Sequence, residues 1–223
     1  SKMKQQLLTA NVATNLYWLG RHLERIELSL FEINNAYDKI IDVDKDAGVK
    51  LYKKYGIDIE YTGAHDFLAQ AIRGEHSANL ADMMVNAREN AIISRSNMDA
   101  SAFGEIIELH ELLQQISKST FTIDYKDIDT ALSLISEIWG AHEKKGHRRC
   151  SDYFLKTGKL IEEVDFRLRF NKDMEMTDLI LEDINTIFKI LDPDFDSKVK
   201  KSKENNQNIM EDLYKSVDKL IIG

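Results

Sequence analysis

The chain has 223 residues, 43% of them apolar, and its 38 acidic against 30 basic side chains give a formal charge of −8. That length suits one domain with a real hydrophobic core, while the acidic balance excludes the concentrated basic surface that nucleic acid or an anionic membrane demands. One proline and ten glycines leave few obligate breakers, and the long periodic segments lack strand alternation, so the class is all-α.

No run of about 18 apolar residues is present, as a membrane span would require. The start, Ser1 to Gln6, is polar and lacks a signal-peptide core behind it. Ser1 and Lys2 read as a cloning remnant before a natural start at Met3, which sets a single domain over residues 3–223. The lone Cys150 excludes an internal disulfide and fits a reducing compartment, so the expectation is a soluble, cytoplasmic protein.

The first predicted helix, about residues 12–41, organises the rest. Leu16, Leu19, Leu23, Ile26, Leu30, Ile33, Tyr37 and Ile40 recur at steps of three and four along it, which is the seam of a packed amphipathic helix. A second stripe, Tyr17, Arg21, Glu24, Leu28 and Phe31, keeps the same alternation on another face. Two charges bracketed by aromatic and apolar neighbours are expected to be partly buried and therefore paired. Arg25 and Glu27 flank that stripe, and Gly20 offers a point where another helix can approach closely.

Residues 42–63 read as a short helix followed by a loop, and 64–73 as a brief helix ended by Gly74. The next helix is predicted over about 77–102, with one seam of Leu80, Met84, Ala87, Ala91, Ser94 and Met98 and a second of Ala81, Val85, Arg88, Ile92 and Arg95. On one continuous helix Arg88 and Arg95 stand two turns apart, about 10.5 Å along the axis, on one face. They are expected to meet the buried glutamate of the first helix, and a single arginine there would instead only snorkel. Helices at 104–118, 124–142, 147–170, 174–190 and 198–221 complete a bundle of about seven helices, with Pro193 making a firm stop.

The helix at 147–170 repeats the first. Setting Gly20 on Gly158, an offset of 138 residues, places Arg21 over Lys159, Glu24 over Glu162, Glu27 over Asp165 and Leu30 over Leu168. A single match at that spacing suggests an ancient duplication of a helical unit rather than an array.

Asn15-Leu16-Tyr17-Trp18-Leu19-Gly20-Arg21 with Leu23-Glu24-Arg25 resembles the opening motif of the bacterial alpha-E domain family. Ala87-Arg88-Glu89-Asn90-Ala91 followed by Arg95 is similar to that family's arginine-rich helix, and Gly158 to Glu162 to its repeated Gly-Arg and Glu-Arg pattern. Lys159 and Glu163 stand where the second copy usually carries arginines. The resemblance implies an all-helical fold. It also implies a setting: such proteins are commonly encoded beside, or fused to, ATP-grasp ligase-like proteins, and near transglutaminase-like peptidases, in systems that modify or ligate peptides.

The chemistry read from the residues is spare. None of the six histidines follows a glutamate at three residues, as a di-iron bundle requires, and no phosphate loop or serine nucleophile motif is present. His142, His147 and Cys150 lie close in sequence but lack a second ligand cluster, so neither a metal nor a cofactor is assigned. The candidate site is therefore Arg21, Glu24, Arg25, Arg88, Arg95, Lys159 and Glu162, read as a structural ion-pair network or as a pocket whose surplus arginines bind an anionic small molecule or peptide end. The function expected is a non-catalytic helical partner or binding protein, with an enzyme using buried carboxylates as the alternative. A homo-oligomer is left open.

Overall fold

The structure, a computed structural model, describes residues 8–145, 149–196 and 206–222. Among the described residues it is all-α, with no strand. The helices are α1 (Ala10–Asp42), α2 (Ala47–Lys53), α3 (Ala64–Arg73), α4 (Leu80–Ile93), α5 (Ala100–Lys118), α6 (Tyr125–Lys145), α7 (Cys150–Arg169), α8 (Met174–Leu191) and α9 (Asn206–Ile222). Seven of them run to 14 residues or more, and the short α2 and α3 fill the connection after α1. No described helix is long and apolar enough to cross a membrane.

Short polar side chains start several of these helices by accepting from an otherwise orphaned amide. The hydroxyl of Thr9 accepts from Val12 N at 3.1 Å for α1, and the carboxamide of Asn79 accepts from Asp82 N at 2.9 Å for α4. Asp173 accepts from Met176 N at 3.0 Å for α8. α7 closes through Asn171 in the left-handed region, with φ of 50°, a conformation asparagine tolerates better than most residues.

The seam of α1 is buried as its periodicity demands: Leu16, Leu19, Leu23, Ile26, Leu30 and Ile33 are at most 1% exposed. One core gathers this seam from Leu19 onward with α2 to α6, a second gathers α7, α8 and α9, and a small third packs Ala13 and Leu16 of α1 against Phe154 of α7. Leu155 of α7 belongs to the first core and Tyr17 of α1 to the second. The α1–α7 crossing therefore joins them.

The helix predicted over 77–102 is broken. α4 stops at Ile93, Ser94 forms its C-cap, Arg95–Asn97 is a single 3-10 turn, and α5 restarts at Ala100 behind the capping side chain of Asp99. No glycine or proline marks the break; the Ser94 amide closes α4 on Asn90 O, and the Asp99 carboxylate starts α5 by accepting from Ala102 N. The helix predicted over 147–170 spans Cys150–Arg169, and His147 lies outside the described residues.

Candidate functional site

Gly20 and Gly158 fix where α1 and α7 touch. A Cβ at Gly20 would run into Leu155 O and stand 2.9 Å from Lys159 N and 3.1 Å from Gly158 Cα. A Cβ at Gly158 would run into Tyr17 O and stand 3.0 Å from Arg21 N. The backbones are therefore in contact, which only glycine permits on both sides. Under the 138-residue offset, Tyr17 matches Leu155 and Arg21 matches Lys159, so each glycine meets the counterparts of the other's neighbours.

That close approach carries the charged residues one turn away into the interface, again in exchange-related pairs. Arg21 Nε donates to Glu162 Oε2 at 2.8 Å, and Lys159 Nζ donates to Glu24 Oε2. The first is arginine of α1 to glutamate of α7, the second glutamate of α1 to lysine of α7. Arg21 is 6% exposed, Glu162 5% and Glu24 1%, so the Tyr17, Arg21 and Glu24 part of the second stripe is internal, while its far end at Phe31 comes out to solvent.

Around Arg21 each of the three guanidinium nitrogens has a partner. The guanidinium donates to Tyr17 Oη at 3.1 Å and to Asp165 Oδ2 at 3.3 Å, with the rings of Trp18 and Tyr214 at 5.4 and 5.3 Å from its centre. Arg25 approaches Glu162 Oε1 at 3.9 Å and Arg169 approaches Asp165 Oδ1 at 3.5 Å, both near the face of Tyr55. Burial disfavours the Arg21 charge, but Glu162 and the phenol of Tyr17 outweigh it and hold the guanidinium's pKa above its ordinary value. Burial likewise raises Glu162, opposed by Arg21.

Around Lys159 the balance is inverted. Its ammonium bonds Glu24 and also Glu163 Oε1 at 2.6 Å, with the Trp139 ring 5.1 Å away. Glu27 joins through hydrogen bonds to Glu24 and to Ser136 of α6. Burial, with Glu163 adding like charge, pushes Glu24 up to about 9 despite Lys159, so it keeps its proton at neutral pH. Burial also raises Glu27. Burial pulls Lys159 down, but Glu24 and Glu163 together hold its pKa above the usual lysine range.

Arg88 and Arg95 do not reach this crossing. The seam of α4, Leu80, Met84, Ala87 and Ala91, is buried, but Val85 and Ile92 of its second stripe face solvent. Arg88 lies on that solvent edge and pairs with Glu89 at 3.3 Å. Arg95, beyond the end of α4, is exposed over the ring of Phe103 at 4.7 Å. What ties α4 to α1 is Asn90, bonded to Asn15 at 2.9 Å and to His22 at 2.8 Å; its place between Ala87 and Ala91 was the available signal.

The expected cationic surplus at an accessible cleft is not found. Arg21, Arg25, Lys159 and Arg169 face Glu24, Glu27, Glu162, Glu163 and Asp165, so carboxyls outnumber cations. The cavity that touches Arg25, Arg169 and Glu162 measures about 10 Å³, room for about one water. A larger cleft of about 730 Å³ opens on the other side of α1, among Leu16, Leu23, Ile106, Ile138 and Leu155, and neither Arg21 nor Lys159 lines it. Among the described residues no three His, Cys, Asp or Glu side chains converge in a metal-holding group.

No curated protein and no solved structure matches the chain. The model of one family does match, over residues 8–191: Alpha-E, described as a predicted alpha-helical domain with a conserved ER motif. In this chain Glu24-Arg25 supplies the Glu-Arg pair, with Glu24 bonded to Lys159 and Arg25 turned towards Glu162. The match spans most of the sequence, and the chain belongs to the Alpha-E family.

Proposed function

We propose that the chain is a non-catalytic helical partner or binding protein in a cytoplasmic peptide-modifying system, with ATP-grasp ligase-like and transglutaminase-like proteins as its partners. The observation that carries the non-catalytic part is the mutual pairing at the α1–α7 crossing. Arg21 spends its donors on Glu162, Asp165 and Tyr17, and Lys159 spends its own on Glu24 and Glu163. A site built to bind or transform a ligand holds polar groups in reserve for it. This one uses them to lock two cores together. The reciprocal contacts of Gly20 and Gly158 further support a common ancestral unit for α1 and α7. Alpha-E membership supports the setting.

The alternative, an enzyme working through buried carboxylates, is favoured by Glu24 alone, whose proton at neutral pH suits a general acid. The test takes the purified chain with candidate ATP-grasp ligase-like and transglutaminase-like proteins from its own host. Stable complexes, with no ligation or hydrolysis of a peptide library by the chain alone, support the partner reading. Turnover by the chain alone that Glu24→Gln abolishes would establish the enzyme.

A further inference from the structure

We propose that the cleft between α1, α5, α6 and α7 binds a small monocarboxylate carried on an apolar body. This deepens the reading of the chain as a binding protein and rests on it, although not on the identity of any partner. The cleft, about 730 Å³, lies within the roughly 300–1,000 Å³ of ordinary ligand pockets. Packed aliphatic side chains back its floor, Leu16 and Leu23 from α1, Ile106 from α5, Ile138 from α6 and Leu155 from α7, and the half-buried Met98, Ala102 and Ala141 complete its apolar wall. Such a floor accepts a hydrocarbon body and rejects a fully polar ligand.

The rim decides the charge. Two aspartates stand there, and both already serve the ends of their own helices. Asp99 accepts from Ala102 N at 3.3 Å and from the Ser101 hydroxyl, while Asp152 accepts from Arg149 N at 3.1 Å and Arg149 Nη2 at 3.3 Å. The other polar groups are rich in donors. Lys144 and Arg149 line the rim, and neither side chain has an acceptor. Arg149 is also the N-cap of α7, where its side chain has no acceptor to offer the helix and its carbonyl takes the Asp152 and Tyr153 amides at 3.0 and 3.3 Å.

Ser151, in the first turn of α7, supplies an independent sign of a ligand. It lines the cleft and is 4% exposed, yet its hydroxyl has no hydrogen-bond partner. A buried unpaired hydroxyl is costly, and because no bond holds its rotamer, turning it towards a bound acceptor sacrifices nothing. Arg149 already spends one donor on Asp152, so it is the buried Ser151 hydroxyl and the exposed Lys144 that call for an anion. Asp99 and Asp152 beside it make a dianion such as phosphate unfavourable, so a single negative charge fits best.

Calorimetric titration of the full chain tests this with N-acetyl-leucine, its amide, octanoate, an acetylated tripeptide ending in leucine as the free acid, and inorganic phosphate. At least one carboxylate is expected to bind at millimolar concentration or below, with the amide and phosphate at least tenfold weaker. Ala141→Phe, which fills the cleft from α6, and Lys144→Glu, which reverses a rim charge, should each weaken binding at least fivefold. Lys144 is exposed, so that variant keeps the fold if Ala141→Phe does not. Tighter binding of the tripeptide than of octanoate identifies a peptide C-terminus as the source, and the reverse order a free acid. The proposal is overturned if no carboxylate gives heat at 10 mM, if the amide binds as well as the acid, or if Lys144→Glu leaves affinity unchanged. Lys144→Glu should still capture any protein partner, so loss of the cleft ligand and loss of the partner are separate failures.

Discussion

The two ends of the α1–α7 crossing are built from matched positions and behave differently. At one end Arg21 sits among two carboxylates and a phenol, with Arg25 and Arg169 behind them, and the charges nearly cancel. At the other, Lys159 alone faces Glu24, Glu163 and Glu27. A guanidinium spreads its charge over a planar fork and engages several acceptors at once, whereas an ammonium is a point charge. The arginine end is therefore a closed ion-pair network and the lysine end a cluster with more carboxyls than its one cation can match, an excess it lowers by retaining a proton on Glu24.

The sharpest way to break this comparison is to remove the cation from each end. Arg21→Ala strands Glu162 and Asp165 at a buried site and should cost about 3–5 kcal/mol, the range for an uncompensated buried charge. Lys159→Ala leaves carboxyls of which one is already neutral, and should cost less, about 1–3 kcal/mol for the unpaired polar groups left behind. Urea unfolding of both variants checks the order. Equal losses would mean that the ends are electrostatically alike.

The next effect concerns what both ends share. Gly158→Ala places a methyl against Tyr17 O and 3.0 Å from Arg21 N, where the obstacle is backbone and cannot turn aside. Overpacking of this kind should cost about 1–3 kcal/mol, overriding the gain of about 1 kcal/mol that alanine offers within a free helix. Gly104→Ala, where a Cβ meets nothing within 4 Å, is the control and should not destabilise. Thermal melts of the two settle whether the crossing is as tight as its geometry.

Much of this crossing was legible in the sequence, because it depends on helical periodicity, which a chain displays openly. The three-four alternation of Leu16 to Ile33 located the core face, and charges inside an apolar stripe located Arg21 and Glu24. The offset of Gly20 to Gly158 set Arg21 over Lys159 and Glu24 over Glu162, and the contacts run crosswise between those positions, Arg21 to Glu162 and Lys159 to Glu24. What was not legible depends on where helices end. Arg95 leaves the face of Arg88 because α4 ends at Ile93 and Ser94 closes it through its backbone N–H, a stop that no glycine or proline announces. The 730 Å³ cleft gathers the start of α5, the end of α6 and the start of α7, segments remote in sequence that carry no motif.

The retained proton gives a pH signature confined to the lysine end. An unfolded chain releases the Glu24 proton near the ordinary glutamate value of 4.5, while the fold holds it to about 9. Between those limits the native state binds more protons, so stability falls as pH rises, by at most about 1.4 kcal/mol per unit for one whole proton. His22 and His110, both lowered by burial, act in the opposite sense but only below their unfolded value of 6.5. The buried tyrosines Tyr17, Tyr52 and Tyr55, raised by burial, enter near 10 and above. Urea melts between pH 7 and 9 therefore isolate the carboxyls. Stability should decline across that window, and Glu24→Gln, which mimics the protonated form, should flatten most of the decline.

The smallest effect tests the boundary of the network. Arg88 was drawn into the candidate site by its place on the stripe of Ala81, Val85, Ile92 and Arg95, yet it is more than a third exposed as a side chain and pairs with its neighbour Glu89, itself exposed, at 3.3 Å. An exposed pair of this kind is worth between zero and about 1 kcal/mol, because water solvates both charges and two long side chains must be ordered to meet. Its stem covers little that the buried alanines do not already cover. Arg88→Ala should therefore change stability by less than about 0.5 kcal/mol, as surface substitutions ordinarily do, while Asn90→Ala in the same turn should cost more, because it leaves Asn15 and His22 without their partner. Chemical denaturation of the two variants side by side decides the matter: a loss at Arg88 that equals or exceeds the loss at Asn90 would bring α4's arginine back into the α1–α7 network.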